Sequence, residues 1–154
     1  TVPTTIGTLR HYLPARPPSK ISNEELKALE FLSKQPEGVV LTLPFDKKAA
    51  DEASDNPPRP LYFYESTAYV SAFSGKPVFL EDEVNLEITG YSWRERRVDL
   101  ENYLDKKNAG FLAKQNISYL YLVKPLNFYF KFLGVLERIF TNEEVDIYRV
   151  RRNI

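Results

Sequence analysis

The sequence predicts an α/β domain of three layers, Rossmann-like in outline, with a mostly parallel sheet and an antiparallel C-terminal hairpin at its edge. Three observations carry this. Capped amphipathic runs alternate with short, nearly continuous apolar runs at 39–43, 77–80 and 117–123, the pattern of strands covered on both faces. Strands alternating with helices imply parallel pairing through crossovers. The last two apolar runs, 136–140 and 145–150, flank the turn-like Thr141-Asn142-Glu143 and read as a hairpin.

In chain order, residues 1–20 form a Pro-rich leader and residues 21–154 a single α/β domain. Pro3, Pro14, Pro17 and Pro18 favour extended chain. Between them Ile6, Leu9, Tyr12 and Leu13 fall at helical spacing, enough for one amphipathic turn lying on the domain or, as the alternative, on a membrane surface. The first helix starts at Ser22, which with Glu25 makes a capping box. Leu26, Leu29 and Leu32 line its apolar face, and Gln35-Pro36 ends it. After the strand at 39–43, residues 44–60 are polar and Pro-rich and read as a loop. Helical spacing over 61–74 ends at Gly75, suited to the left-handed position after a helix. The strand at 77–80 runs into an acidic loop. Ser92 and Glu95 make a second capping box for a helix through Leu104, and a further helix is expected over 108–115. The run 117–123 is β-branched and aromatic throughout, the clearest strand signal. Residues 125–133 read as an aromatic loop or short helix.

Composition narrows the chemistry. The chain has 154 residues, 43% of them apolar, enough for one well-filled core. Lys plus Arg number 21 and Asp plus Glu 21, so no basic field exists to gather phosphates, which argues against nucleic acid. There is no Cys, which excludes disulfides, thiol nucleophiles and cysteine-ligated zinc. The single His, His11, sits in the leader and assembles neither a histidine metal site nor a triad. No Gly-rich phosphate loop of either nucleotide-binding type occurs. No cofactor and no metal are therefore expected, and no stretch is long and apolar enough to span a membrane. The chain starts at Thr1 and contains no Met, as expected of an excised segment or a processed chain.

In open parallel sheets ligands sit beyond the carboxyl ends of the strands. That rule points to Pro44-Phe45-Asp46, to Glu81-Asp82-Glu83-Val84-Asn85 and to Lys124-Pro125. The acidic cluster Glu81, Asp82, Glu83, Asn85 and Glu87 offers oxygen ligands to a hard cation such as Ca²⁺, but it lacks EF-hand spacing, and a run of acids in a loop is ordinarily solvated. The segment Gly90-Tyr91-Ser92-Trp93-Arg94-Glu95-Arg96-Arg97 holds the only Trp beside a Tyr and three arginines. Such aromatic faces and guanidinium forks suit sugars, phosphates and carboxylates. The competing reading has Trp93 plugging the core, with Arg94, Arg96 and Arg97 paired to Glu81, Asp82 or Glu83. Candidate ligand-binding residues are Asp46, Glu81, Asp82, Glu83, Asn85, Tyr91, Trp93 and Arg94, with no catalytic residue.

These pieces, in their order, resemble a family. Asn23-Glu24-Glu25-Leu26-Lys27-Ala28-Leu29-Glu30-Phe31-Leu32 followed by Pro36-Glu37-Gly38-Val39-Val40-Leu41 is similar to the opening segment of extracytoplasmic domains that follow the last transmembrane helices of GT-C-class glycosyltransferases. The catalytic subunits of oligosaccharyltransferases and their bacterial relatives are familiar members. The stretches 69–78, 90–96, 117–123 and 140–150 continue the likeness, which spans 22 to 150. The resemblance implies a polytopic, membrane-anchored parent acting on lipid-linked sugars, with this domain outside the membrane and the leader emerging from the last span. Implied partners are the transmembrane part of the parent, a sugar or lipid-linked sugar, and a nearby membrane surface. The catalytic acids of such enzymes lie in loops between membrane helices, so this domain would position acceptor or donor without catalysing. The acceptor motif WWDYG is missing, and Thr42-Leu43-Pro44-Phe45-Asp46 occupies its place. Two other readings are a protein-interaction or structural module docking through Phe128-Tyr129-Phe130-Lys131-Phe132, and a carboxylate-dependent glycoside hydrolase.

Overall fold

The computed structural model describes residues 19–53, 57–106, 110–126 and 134–151. Strand β1 (Ser19–Lys20) leads into helix α1 (Asn23–Ser33). The Ser22 hydroxyl accepts the Glu25 N–H at 3.0 Å and Glu25 Oε2 accepts the Ser22 N–H at 3.4 Å, completing the expected capping box. Helix α1 buries Ala28, Leu29 and Leu32. Strand β2 (Val39–Thr42) follows, ending one residue before the expected limit.

The stretch 44–60, expected as a loop, contains helix α2 (Lys47–Glu52). Asp46 starts it by accepting the Ala49 N–H at 3.0 Å. Strand β3 (Arg59–Pro60) then pairs in parallel with β1, Ser19 opposite Arg59 and Lys20 opposite Pro60. This pairing sets Ser19 and Lys20, the last residues of the expected leader, beside residues 59–60. The other leader residues, 1–18, lie outside the described residues.

The expected helix over 61–74 is broken in two. A 3-10 turn covers Leu61–Phe63, Tyr64 is extended, and helix α3 runs only from Tyr69 to Ser74. The polar interval 65–67 offers no apolar face to bury, so the period is interrupted there. Gly75 closes α3 at φ 68°, the left-handed position anticipated for it.

The run at 77–80 is not a full strand. It touches β2 through one parallel bridge, Val40 to Val78, made by Val40 N–H to Pro77 O at 2.9 Å and Phe79 N–H to Val40 O at 2.8 Å. The chain then turns away at Asp82 (φ 56°) into helix α4 (Glu83–Ile88), where an acidic loop was expected. Helix α5 (Arg94–Lys106) and helix α6 (Gly110–Lys114) follow. Strand β4 (Ile117–Val123) matches its expected limits, and strands β5 (Leu136–Thr141) and β6 (Val145–Val150) form the expected antiparallel hairpin. A 3-10 turn occupies Lys124–Leu126. The rest of the aromatic segment, 127–133, lies outside the described residues.

The main sheet has the order β2-β4-β6-β5. Strands β2 and β4 are parallel, whereas β4–β6 and β6–β5 are antiparallel. The protein is thus mixed α/β, with six α-helices among the described residues and a sheet that is only partly parallel. The expected parallel majority fails because residues 77–80 contribute a single bridge and the hairpin takes the far side of β4.

Strand β4 separates two apolar clusters. Tyr119, Tyr121 and Val123 pack with Ala28, Leu29 and Leu32 of α1 and with Tyr69 and Val70 of α3. Leu120 and Leu122 pack with Leu100, Tyr103 and Leu104 of α5, Leu112 of α6, and Phe79 and Leu80. No helix among the described residues is long and apolar enough to cross a membrane.

Gly38, at the entrance to β2, touches β4 so closely that an added Cβ would sit within 2.5 Å of Ser118 Oγ and 3.1 Å of the Tyr119 ring. Gly38→Ala is expected to cost about 1–3 kcal/mol, the usual penalty for forcing extra volume into a tight contact. Urea unfolding of the two proteins measures it, and an unchanged midpoint would show that the strands can separate without cost.

Candidate functional site

Two hollows open near the carboxyl end of β2 and the bridge at Val78. The narrower, about 60 Å³, is lined by Thr42, Tyr62, Tyr69, Tyr121 and the acids 81–83. That volume accommodates a few water molecules. The broader cleft, about 440 Å³, lies between α3 and α4 and is lined by Ser71, Glu81, Asp82, Asn85, Thr89, Tyr91 and Arg96, among others. Its size falls in the range of small-molecule sites.

Glu81 borders both hollows. Its carboxylate accepts the Val70 N–H at 2.7 Å and the Ser71 N–H at 3.1 Å, so it caps α3 from a distant part of the chain. Burial pushes its carboxyl above the usual range, while those two backbone N–H groups oppose the rise. Asp82 starts α4, accepting the Asn85 N–H at 3.4 Å and the Asn85 side-chain amide at 2.7 Å. Its left-handed backbone is tolerated by Asp more readily than by most residues.

The far wall is Tyr91 and Arg96. Arg96 donates to the Phe79 carbonyl at 3.1 Å and to the Tyr91 hydroxyl at 2.7 Å. Its guanidinium carbon lies 5.2 Å from the Tyr91 ring centroid and 5.7 Å from that of Phe79. The Tyr91 ring is thereby braced although the residue is 48% exposed. No carboxylate among the described residues forms an ion pair with Arg96.

Of the eight candidates, Glu81, Asp82, Asn85 and Tyr91 converge on the broad cleft. The other four do not line it. Asp46 caps α2. Glu83 is buried and paired with Arg97 at 2.6 Å, beside an Arg97–Glu101 pair at 2.6 Å. Trp93 donates its indole N–H to Glu87 at 2.9 Å, and Arg94 pairs with the same carboxylate at 2.8 Å. Those two donors hold the Glu87 carboxyl below its usual range, the Arg94 hydrogen bond contributing most. Trp93 also packs against the second apolar cluster, and Arg94 lies 5.1 Å over its ring. The plugging role considered for Trp93 is thus found in part, with Arg97 paired to Glu83 but Arg94 paired to Glu87. Sequence reasoning passes over Arg96, Ser71 and Thr89 as site residues. Arg96 had a usable signal, since it shares with Tyr91 the segment singled out for sugar chemistry.

Among the described residues no three His, Cys, Asp or Glu side chains gather as a metal centre requires. Compared with known proteins, the chain matches no family model, no curated protein and no solved structure.

The Glu83–Arg97 pair ties α4 to α5, and Arg97 also donates to the Phe45 carbonyl at 3.1 Å. Arg97→Met should destabilise the fold by about 3–5 kcal/mol, because it leaves a buried carboxylate uncompensated. The double variant Arg97→Met with Glu83→Gln should recover part of that loss in a double-mutant cycle. Simple additivity of the two losses would show that the pair is not coupled.

Proposed function

We propose that the broad cleft holds a sugar unit and that this chain is the outer, non-catalytic domain of a multi-spanning, GT-C-type glycosyltransferase, where it helps position acceptor or lipid-linked donor. The observation that carries the reading is the half-exposed Tyr91 ring, braced by Arg96 and lining one cleft with Glu81, Asp82 and Asn85. A flat aromatic face offers apolar contact to the C–H face of a pyranose, while planar amide, carboxylate and guanidinium groups suit its ring hydroxyls. The resemblance over residues 22 to 150 supplies the membrane-bound parent, with the domain extracytoplasmic and close to the membrane surface. A three-layer, Rossmann-like arrangement is part of the same reading, supported by apolar clusters on both sides of β4.

A protein-interaction module is the second reading. Among the described residues Phe73, Ile88, Tyr91 and Val98 are the large apolar side chains left exposed, and single exposures of this kind are ordinary on a protein surface. The aromatic stretch 128–132 first considered as its docking surface lies outside the described residues. The hydrolase reading draws less support, because Asp82 serves as a helix cap and Glu83 is held by Arg97.

Titrating the isotopically labelled chain with neutral mono- and disaccharides should shift the amides of residues near Tyr91 and Asn85. Tyr91→Ala should weaken that binding at least about tenfold, equivalent to 1.4 kcal/mol, with the fold retained. In the parent, Trp93→Ala or Arg94→Ala should lower sugar transfer less than Tyr91→Ala. Absence of any sugar-induced shift, or a soluble polypeptide upstream of Thr1 in place of several membrane spans, would remove the reading.

A further inference from the structure

Helix α1, strand β4 and the β5–β6 turn meet around a carboxyl group that has no counter-charge. Glu25 is 1% exposed, although the glutamate of a capping box ordinarily faces solvent. Its Oε2 accepts the Ser22 N–H, while Oε1 is buried without a partner. The Tyr121 hydroxyl is likewise buried without a partner and lies within the electrostatic reach of Glu25. On the outer side of the same capping box, the Ser22 hydroxyl donates to Glu144 Oε2. The Asn142 side-chain amide donates to the Glu24 carbonyl at 2.8 Å, and its oxygen accepts the N–H groups of Glu144 (3.0 Å) and Val145 (2.7 Å). The start of α1 is therefore fastened to the hairpin turn by Ser22, Glu24, Asn142 and Glu144.

Two carboxyl groups, Glu25 and Glu144, thus flank one serine, and neither meets a cation at ion-pair distance among the described residues. The other groups facing Glu25 are Tyr62 from the 3-10 turn, Tyr69 from α3, Tyr121 from β4 and the exposed Lys20 from β1. A buried carboxylate in such surroundings relieves its desolvation by taking a proton. Protonation removes that uncompensated charge while leaving the Ser22 N–H bond to Oε2 in place.

We propose that Glu25 is protonated in the closed domain and acts as a latch, and that its ionisation loosens the contact between the start of α1 and the β5–β6 turn by repulsion from Glu144. The latch is independent of the sugar cleft. Burial pushes the Glu25 carboxyl up to about 7, and Glu144 adds to the rise, against the opposing pull of the Ser22 N–H, Tyr69 and Lys20. The folded state then holds this proton more tightly than the unfolded chain does. The resulting stabilisation is complete below the ordinary carboxyl range and is lost as pH rises to the folded value near 7.

The test is a carbon-detected titration of the side-chain carboxyls of the whole chain, with amide exchange and thermal unfolding followed from about pH 5 to about pH 8. Glu25 should titrate far above the exposed Glu30. Amides of Glu25 and Val145 should lose protection across the same window, beyond the intrinsic pH dependence of exchange. Glu25→Gln should flatten the unfolding profile, because it keeps a neutral donor at that position. Glu144→Gln keeps Glu25 in place and should lower its titration midpoint, which protects the test if the first variant folds poorly. Titration of Glu25 together with Glu30, a midpoint unmoved in Glu144→Gln, or equal pH slopes for the wild type and Glu25→Gln would each overturn the proposal.

Discussion

Strand β4 is buried on both sides from Tyr119 to Val123, so the chain must supply an apolar cover for each face of it. Helices α1 and α3 meet the face bearing Tyr119, Tyr121 and Val123, while α5, α6 and residues 79–80 meet the face bearing Leu120 and Leu122. Both edges of β4 are engaged as well. Strand β2 pairs in parallel with Ile117 and Tyr119 to Tyr121 on one edge, and β6 in antiparallel with Tyr119 to Val123 on the other. The direction of β2 then delivers residues 42–46 to the same end of the sheet as Val123, where the narrow hollow opens.

Around this apolar frame, polar side chains join segments far apart in sequence by meeting backbone groups rather than one another. Glu81 takes the first N–H groups of α3, and Arg97 reaches the Phe45 carbonyl. Buried Lys76 donates to the Gln35 carbonyl at 2.7 Å, beside the end of α1, with its ammonium 6.0 Å from the Tyr119 ring centroid. Each satisfies helix-end or loop atoms that would otherwise be buried without partners. Glu25 departs from the pattern. It has a backbone donor for one oxygen only, and its other oxygen is buried without a partner.

Legibility in the sequence followed the length and regularity of each signal. The Ser22–Glu25 capping box, the β-branched run 117–123 and the closing hairpin were all readable, because each combines a period with a marked end. Helices α2 and α4 were not, since each spans six residues and shows less than two turns of periodicity. Their starts lay in the open at Asp46 and Asp82, but an aspartate in a polar stretch looks alike as a cap and as a ligand. The candidate site was half legible. Glu81, Asp82, Asn85 and Tyr91 do share one cleft, whereas Trp93 and Arg94 turn to Glu87 and Arg96 takes the place beside Tyr91.

By itself the sequence determined what depends on neighbours a few residues away. It set where the first helix starts, which run becomes the central strand, and which chemistries lack their side chains. Tertiary structure alone decided the rest. Whether residues 77–80 pair as a strand depends on how β2 lies, and whether Glu25 keeps its charge depends on water excluded by α3, β4 and the hairpin turn. Pairing and desolvation are set by segments that meet only after folding, so no local reading of Val78 or Glu25 contains them.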